Sequence, residues 1–456
     1  MVFNPYVFRE YDIRGRVAED FSDEFVQDLG RAFGTFVKSR GGGEIALSGD
    51  IRLTTPHLKE NFRKGVLKTG IDVIDIGIVP TPVNYFSMWK LEVSAAVQIT
   101  GSHNPPEMNG FKMSFRKKAV YGQQIQEIRR LLENKRFDTG TGIEVKHTLM
   151  EDYVDMILEK ISLEREMRIA MDCGNAAACL VAPRLFRELG VDLAELYCDV
   201  DGSFPNHHPD PTVPENLQDL TSLLGTGDFD MGIAYDGDAD RIGVEDEKGK
   251  IIWADKIMCL FLPEIVEPGD EILFDVKCSQ ALEEEIIRHG GKPVIWKTGH
   301  SLIKQKMSEL GCKFGGEMSG HLFMADDYFG YDDAIYVSIR LAQLLSRQGK
   351  KLSELVAELP RYYSTPEMRL NCTSDEEKFR IAEKAVTFFK ANYDCLDIDG
   401  VRIKFDDGWG LVRASNTQPV IVCRFEANSQ ERMEEIKATV LHQIQEMGEV
   451  SIPDDA

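Results

Sequence analysis

Three times before Pro360 the chain repeats one order of apolar strands and amphipathic helices, and each pass ends on a polar loop. Such alternation demands a largely parallel sheet with helices packed on it, because parallel neighbours need a crossover between them. The first pass predicts strands at 44–49, 72–79 and 94–99 and a helix at 56–68. The second restarts at 168–172, runs through helices at 179–189 and 215–224, and ends on a strand at 231–235. The third begins near Ala254, with strands at 271–276 and 293–297, a helix at 280–289 and another after Gly299. Past Pro360 come a strand at 368–371, a helix at 375–390, strands with glycine-rich turns, and a helix at 430–445. At 456 residues the chain exceeds what one core supports, and 43% hydrophobic residues fill several. The expected fold is therefore α/β: three similar mixed α/β domains plus a C-terminal α+β domain with an antiparallel sheet, around a central cleft. Boundaries are expected at 1–148, 149–250, 251–360 and 361–456.

A formal net charge of −23 argues against nucleic acid or an anionic membrane as the main partner. An anionic substrate must then meet lysines and arginines inside the polar loops. Nine dispersed cysteines without a C-x-x-C pair read as reduced thiols, not as a disulfide framework or zinc site. Met1-Val2-Phe3-Asn4-Pro5 has no basic segment leading into an apolar run, and the best apolar stretch, 257–262, ends at Pro263. The expectation is a cytoplasmic protein.

Thr100-Gly101-Ser102-His103-Asn104-Pro105 sets a serine in a tight turn at the carboxyl end of a strand, where α/β proteins bind ligands. Asp236-Gly237-Asp238-Ala239-Asp240-Arg241 puts three carboxylates at alternate positions between small residues. Like charges this close repel unless a cation sits between them, and oxygen-only ligands favour Mg²⁺ or Ca²⁺. An EF-hand is the competing reading, with Glu247 at position twelve, but Arg241 replaces the required glycine and the flanks read as strands. Glu317, Ser319 and His321, two apart in an extended segment, would share one face and suit sugar hydroxyls, or simply form a polar strand face. Arg413-Ala414-Ser415-Asn416-Thr417 suits a phosphate, or is a surface turn. Lys112 should project within reach of the serine loop, or be a solvated strand lysine; Arg14 precedes a glycine turn.

These loops, with Lys297-Thr298-Gly299-His300-Ser301, occur in an order that resembles the α-D-phosphohexomutase superfamily over essentially the whole chain, and within it the bacterial phosphomannomutase/phosphoglucomutase branch. The resemblance implies interconversion of hexose 1- and 6-phosphates, mannose or glucose, through a phosphorylated Ser102 and a hexose 1,6-bisphosphate that also serves as activator. It implies one Mg²⁺ held by Asp236, Asp238, Asp240 and a phosphoryl oxygen on Ser102. It implies that Glu317 and Ser319 bind sugar hydroxyls and that Arg413, Ser415, Asn416 and Thr417 grip the non-reacting phosphate. It brings Arg14, His103, Lys112, Arg241 and His321 to the catalytic set, with His321 and Lys112 as proton-transfer partners, and Tyr11, Lys277 and His300 to the substrate. A monomer or weak homo-oligomer acting on small hexose phosphates follows. Ala239 stands where many relatives carry glycine. A phosphatase using the same serine and metal, and a non-catalytic sugar-phosphate or calcium-binding module, are the alternatives that the residues alone leave open.

Overall fold

Strands Glu44–Gly49, Asp72–Ile78 and Ala95–Ile99 pair in parallel, as their alternation requires. Met108–Phe115 returns antiparallel on Ala95–Ile99, and Ile13–Arg16 adds antiparallel beyond it, so this sheet is mixed. The return strand sets Lys112 opposite Gln98. Helix Asp23–Lys38, capped by Ser22 Oγ on the Phe25 N–H at 3.3 Å, buries Phe25, Leu29, Phe33 and Phe36. Phe62, on helix Thr55–Leu67, packs between Phe33 and Phe111 at centroid distances of 6.2 and 5.3 Å, which ties this core to the strand that carries Lys112. The computed structural model describes residues 3–415 and 419–451.

Contacts gather the chain into two units, Met1–Ala254 with Ser319–Leu355, and Asp255–Met318 with Val356–Ala456. The first unit holds a second sheet, in which Arg168–Asp172 lies between the parallel strands Asp192–Leu196 and Met231–Tyr235. Ile242–Asp246 folds back antiparallel on Met231–Tyr235. The expected helix at 179–189 forms as a 3-10 turn, Ala177–Leu180, followed by helix Ala182–Glu188. Pro183 lacks an N–H and starts the second piece. The region at 215–224 likewise divides into Pro214–Leu217 and Gln218–Leu224. Helix Ala334–Ser346 is capped by Asp333, whose carboxylate accepts Tyr336 N–H (2.9 Å), Tyr153 OH (2.8 Å) and Tyr328 OH (2.6 Å). Burial pushes that carboxyl up to about 6, against the effect of these donors.

In the second unit Lys292–Trp296, Glu271–Asp275 and Phe314–Gly316 run parallel. The C-terminal sheet is antiparallel, with Gly408–Ala414 and Val420–Ala427 at its centre, and helices Asp375–Asn392 and Gln430–Met447 cover it. Buried Trp409 packs with Val276 and Leu411 beneath the Arg402 guanidinium, 3.9 Å from the ring centroid. Arg402 then donates to the carbonyls of Val276 (2.9 Å) and Cys278 (3.0 Å), holding the loop after strand Glu271–Asp275. No helix among the described residues is long and apolar enough to cross a membrane.

Glu245, buried on strand Ile242–Asp246, accepts Thr221 Oγ1–H at 2.7 Å on one oxygen and has no hydrogen-bond partner on the other. Burial pushes its carboxyl up to about 7. An unfolded glutamate titrates near about 4.3. The folded state thus keeps a proton the unfolded chain has released, and this group's contribution to stability falls as pH rises toward about 7. Thermal melts should show Glu245→Gln gaining on the parent protein between pH 5 and pH 8, by about 1–2 kcal/mol. A difference independent of pH contradicts this.

Candidate functional site

Ser102 lies just past strand Ala95–Ile99 at φ +49, a left-handed conformation that costs a serine about 1 kcal/mol. The loop is held in that shape by its carbonyls. Buried Arg52 donates to those of Ser102 (2.7 Å), Asn104 (2.5 Å), Pro105 (2.8 Å) and Met108 (3.1 Å). Its guanidinium lies 3.3 Å from Asp50, which also accepts the Gly101 N–H at 3.2 Å. A Cβ on Gly101 would stand 2.5 Å from the Arg52 guanidinium carbon, so that arginine requires that glycine. Ser102 Oγ donates to Asp236 Oδ2 at 3.0 Å and lies 3.0 Å from His103 Nδ1. Burial, then the charges of Arg241 and Arg14, hold the His103 imidazole well below its usual range, so the ring is neutral.

Asp236, Asp238 and Asp240 fill the turn of the hairpin Met231–Tyr235 to Ile242–Asp246, and all three are fully buried. Strand flanks exclude the EF-hand, which needs helices. One oxygen from each carboxylate lies within 4.8 Å of the others. Lys112 Nζ bridges two of them, at 2.6 Å from Asp238 Oδ2 and 2.5 Å from Asp240 Oδ2. It is 5% exposed, which rules out a solvated strand lysine. Burial opposes its charge, but Asp238 and Asp240 outweigh burial and hold the ammonium above its ordinary value. The same pairing keeps Asp238 below the usual carboxylate range in spite of burial. Burial first, and then Asp238 and Asp240, push Asp236 well up. Thr81 fixes Asp238 twice, by Oγ1–H to Oδ2 (2.5 Å) and by its N–H to the carbonyl (2.9 Å). Asp238 Oδ1 and Asp240 Oδ1 are buried without a hydrogen-bond partner. Bare carboxylate oxygens beside a third carboxylate and a hydroxyl fit a hard divalent cation. Ala239 sits at φ +63, a left-handed conformation that glycine adopts more readily than alanine.

Arg241 Nε–H donates to His321 Nε2 at 2.9 Å, which leaves the ring proton on Nδ1, facing the Asp240 carbonyl and Asp332 Oδ2 at 3.1 Å each. Arg14 donates to Asp12 at 2.6 Å; burial opposes its charge, and Asp12 with Asp238 and Asp240 raises it. Tyr11 and Ser319 are half-buried. The extended segment expected at 317–321 does not form. Met318 to Gly320 turns, with Gly320 at φ +99 where a Cβ would stand 2.5 Å from the Ile242 carbonyl oxygen. Period-two alternation therefore does not govern which way Glu317, Ser319 and His321 point.

In the second unit Lys277, His300 and Glu317 each follow the carboxyl end of a parallel strand. Lys277 Nζ lies 3.1 Å from Glu367 Oε2; burial opposes its charge, and Glu367 and Asp275 raise it. Glu367 is held near about 2 by Lys277, against burial. Glu317 accepts the Gly299 N–H, and His300 opens helix His300–Leu310. Arg413 stands within strand Gly408–Ala414, not in the turn after it. Its Nε–H donates to Asp399 Oδ2 at 3.0 Å, and the same oxygen accepts the Thr298 N–H at 3.1 Å, tying Arg413 to the loop before His300. Ser415 is buried; Asn416 and Thr417 lie outside the described residues.

Sequence reasoning missed Arg52, Asp50, Thr81 and Gly237. The signal was present: the carboxyl-end rule that selects Ser102 applies equally to Asp50-Ile51-Arg52 after Glu44–Gly49, and to Thr81 after Asp72–Ile78.

A serine hydroxyl against a cation-binding carboxylate loop, on the carboxyl edges of α/β sheets, is equipment for phosphoryl transfer. Four family profiles cover the chain: phosphoglucomutase/phosphomannomutase alpha/beta/alpha domain I at 6–139, domain II at 151–249, domain III at 253–363 and the C-terminal domain at 350–443. The chain belongs to the phosphoglucomutase/phosphomannomutase family. It is 42% identical to the phosphomannomutase/phosphoglucomutase of Pseudomonas aeruginosa, over 96% of this chain and 95% of that protein. It is 40% identical to the phosphoglucomutase of Neisseria gonorrhoeae, over 94% and 95%. A crystal structure of a phosphoglucomutase/phosphomannomutase family protein from Burkholderia thailandensis superposes with a TM-score of 0.92 at 39% identity, covering 98% of this chain and all of that one.

A Cβ on Gly237 would stand 2.1 Å from the Ser102 carbonyl oxygen, so the serine and aspartate loops meet only if this residue is glycine. Gly237→Ala should part them, weakening divalent-cation binding about tenfold and turnover about a hundredfold. Cation titration and steady-state kinetics check this; unchanged values contradict it.

Proposed function

We propose that this protein is a phosphohexomutase that interconverts hexose 1-phosphates and hexose 6-phosphates, of mannose or glucose, through phosphorylated Ser102 and a bisphosphorylated sugar. The observation that carries the reading is Ser102 Oγ at 3.0 Å from Asp236, next to Asp238 and Asp240 with bare buried oxygens. The names of the Pseudomonas and Neisseria relatives support the substrate class.

Asp236, Asp238 and Asp240, with a phosphoryl oxygen on Ser102, are the residues to hold Mg²⁺. When bound, Mg²⁺ offsets the charge on the transferring phosphoryl group. Phosphoserine brings about −1.5 to −2 charge into an acidic pocket, and Lys112, Arg14 and Arg241 supply the local positive charge. The phosphoryl group passes from Ser102 Oγ to the free hydroxyl of a hexose monophosphate, and the hydroxyl proton goes to a base. Lys112 is kept charged by two carboxylates, so His321 is the candidate base, and its Nε2 takes the proton only once the Arg241 N–H it accepts has turned to the substrate. His103 orients Ser102 Oγ. The bisphosphate then reverses and returns its other phosphoryl group to Ser102, and added hexose 1,6-bisphosphate restores any serine that has lost its own.

We assign recognition of the rest of the substrate to Tyr11, Glu317 and Ser319 for the sugar, and to Lys277, His300, Arg413, Ser415, Asn416 and Thr417 for the non-reacting phosphate. The nine free cysteines are in keeping with a reducing cytoplasm, where a monomer or weak homo-oligomer would act.

Ser102→Ala should fold normally and lose nearly all turnover, and exhaustive chelation should abolish activity until Mg²⁺ is restored. Full activity after either change contradicts the assignment. Arg413→Ala should lose about 1.5–3 kcal/mol, roughly ten- to a hundredfold in kcat/KM, for 1- and 6-phosphosugars alike. Kinetics in both directions are the check, and an effect confined to one direction contradicts a shared phosphate grip.

A further inference from the structure

Asn206-His207-His208-Pro209-Asp210 has no part in the roles above, yet His208 Nε2–H donates to the carbonyl oxygen of His103, the residue after Ser102. Arg52 takes the carbonyls on either side, those of Ser102 and Asn104, and His208 takes the one between them. The ring of His208 is aimed by its own backbone, whose carbonyl accepts His207 Nδ1–H at 3.0 Å and the Asp210 N–H at 2.8 Å. His207 Nε2 lies 2.9 Å from Asp172 Oδ2. A carbonyl and a carboxylate both accept, so both ring nitrogens of His207 donate and the ring is an imidazolium clamped between Asp172 and His208.

We propose that His208 is a positioning residue for phosphoryl transfer, which, held by the Asp172–His207 pair, pins the His103 carbonyl and so keeps Ser102 aimed at Asp236. The proposal rests on the phosphoserine reading. Ser102 occupies a strained turn at φ +49, and a strained turn persists only where its surroundings hold it. Without the pin the loop relaxes and Oγ shifts. Catalysis is far more sensitive to such a shift than substrate binding is.

His208→Leu fills the space without a donor, whereas His208→Gln keeps a donor. Each is assayed for kcat, KM for mannose 1-phosphate, melting temperature, and the rate at which phosphorylated Ser102 passes its phosphoryl group on in a single turnover. The expected result is a loss of about tenfold or more in kcat and in the single-turnover rate for His208→Leu, with KM and melting temperature near those of the parent. His208→Gln should stay within about threefold of the parent. A His208→Leu protein with parental kcat, equal loss in both variants, or a loss confined to KM overturns the proposal. Should His208→Leu fail to fold, His207→Leu removes both donors of the clamp and leaves His208 in place; a reduced kcat supports the role and an unchanged one overturns it. A parent protein that turns over with Ser102 unphosphorylated even after incubation with hexose 1,6-bisphosphate overturns the mutase reading itself, whereas a phosphorylated parent with a fully active His208→Leu overturns only the role of His208.

Discussion

Lys112 between Asp238 and Asp240 is the interaction on which the first unit's site depends. Three buried carboxylates in one hairpin turn would repel, and a buried charge without a partner is costly. The ammonium arrives on the antiparallel strand Met108–Phe115, so the departure from a purely parallel sheet has a chemical use. Breaking such a buried pair by removing one partner costs about 3–5 kcal/mol. Even with Lys112 in place two carboxylate oxygens stay bare, and the loop keeps a deficit of positive charge that a divalent cation can fill.

Close contact between loops follows from that charge arrangement and sets its own conditions. Ser102 reaches Asp236 only because Gly237 leaves room for the serine's carbonyl, and because Arg52 gathers that carbonyl with three others. Ser102 and Ala239 both adopt left-handed conformations that their residue types disfavour. Local preference thus yields to geometry in the two loops that carry the chemistry, and strain of this kind gathers at functional sites.

The parts of this arrangement that can be read from sequence are those in which residue type and spacing act locally. The strands around Ser102 and Asp236 follow from apolar runs ending in small or polar residues, and like charges at alternate positions imply a cation without reference to the fold. Arg52 could be placed at the carboxyl end of a strand, but its task was not legible, because it works on carbonyls fifty residues further along the chain. Lys112 could be placed near the serine loop, but its burial depends on a hairpin more than a hundred residues away. The segment from Glu317 to His321 misled, since its alternation looks like a strand while the chain turns at Gly320, whose φ of +99 and close approach to the Ile242 carbonyl suit glycine alone. The family resemblance implies roles that spacing does not, such as that of His300, whereas the phosphate reading of Arg413 comes from its residue type. For Arg413 the strand and its Asp399 partner add what holds the guanidinium.

The central claim is that Ser102 itself carries the phosphoryl group through the reaction. The most direct measurement is quenched-flow peptide mapping of Ser102, with sugar phosphates quantified at the same time points, after phosphorylated protein is mixed with one equivalent of hexose 6-phosphate. The phosphoryl group should leave Ser102 as the bisphosphate appears and return to it as the 1-phosphate forms. Turnover with Ser102 unmodified throughout, or with the phosphoryl group on another residue, would contradict the claim.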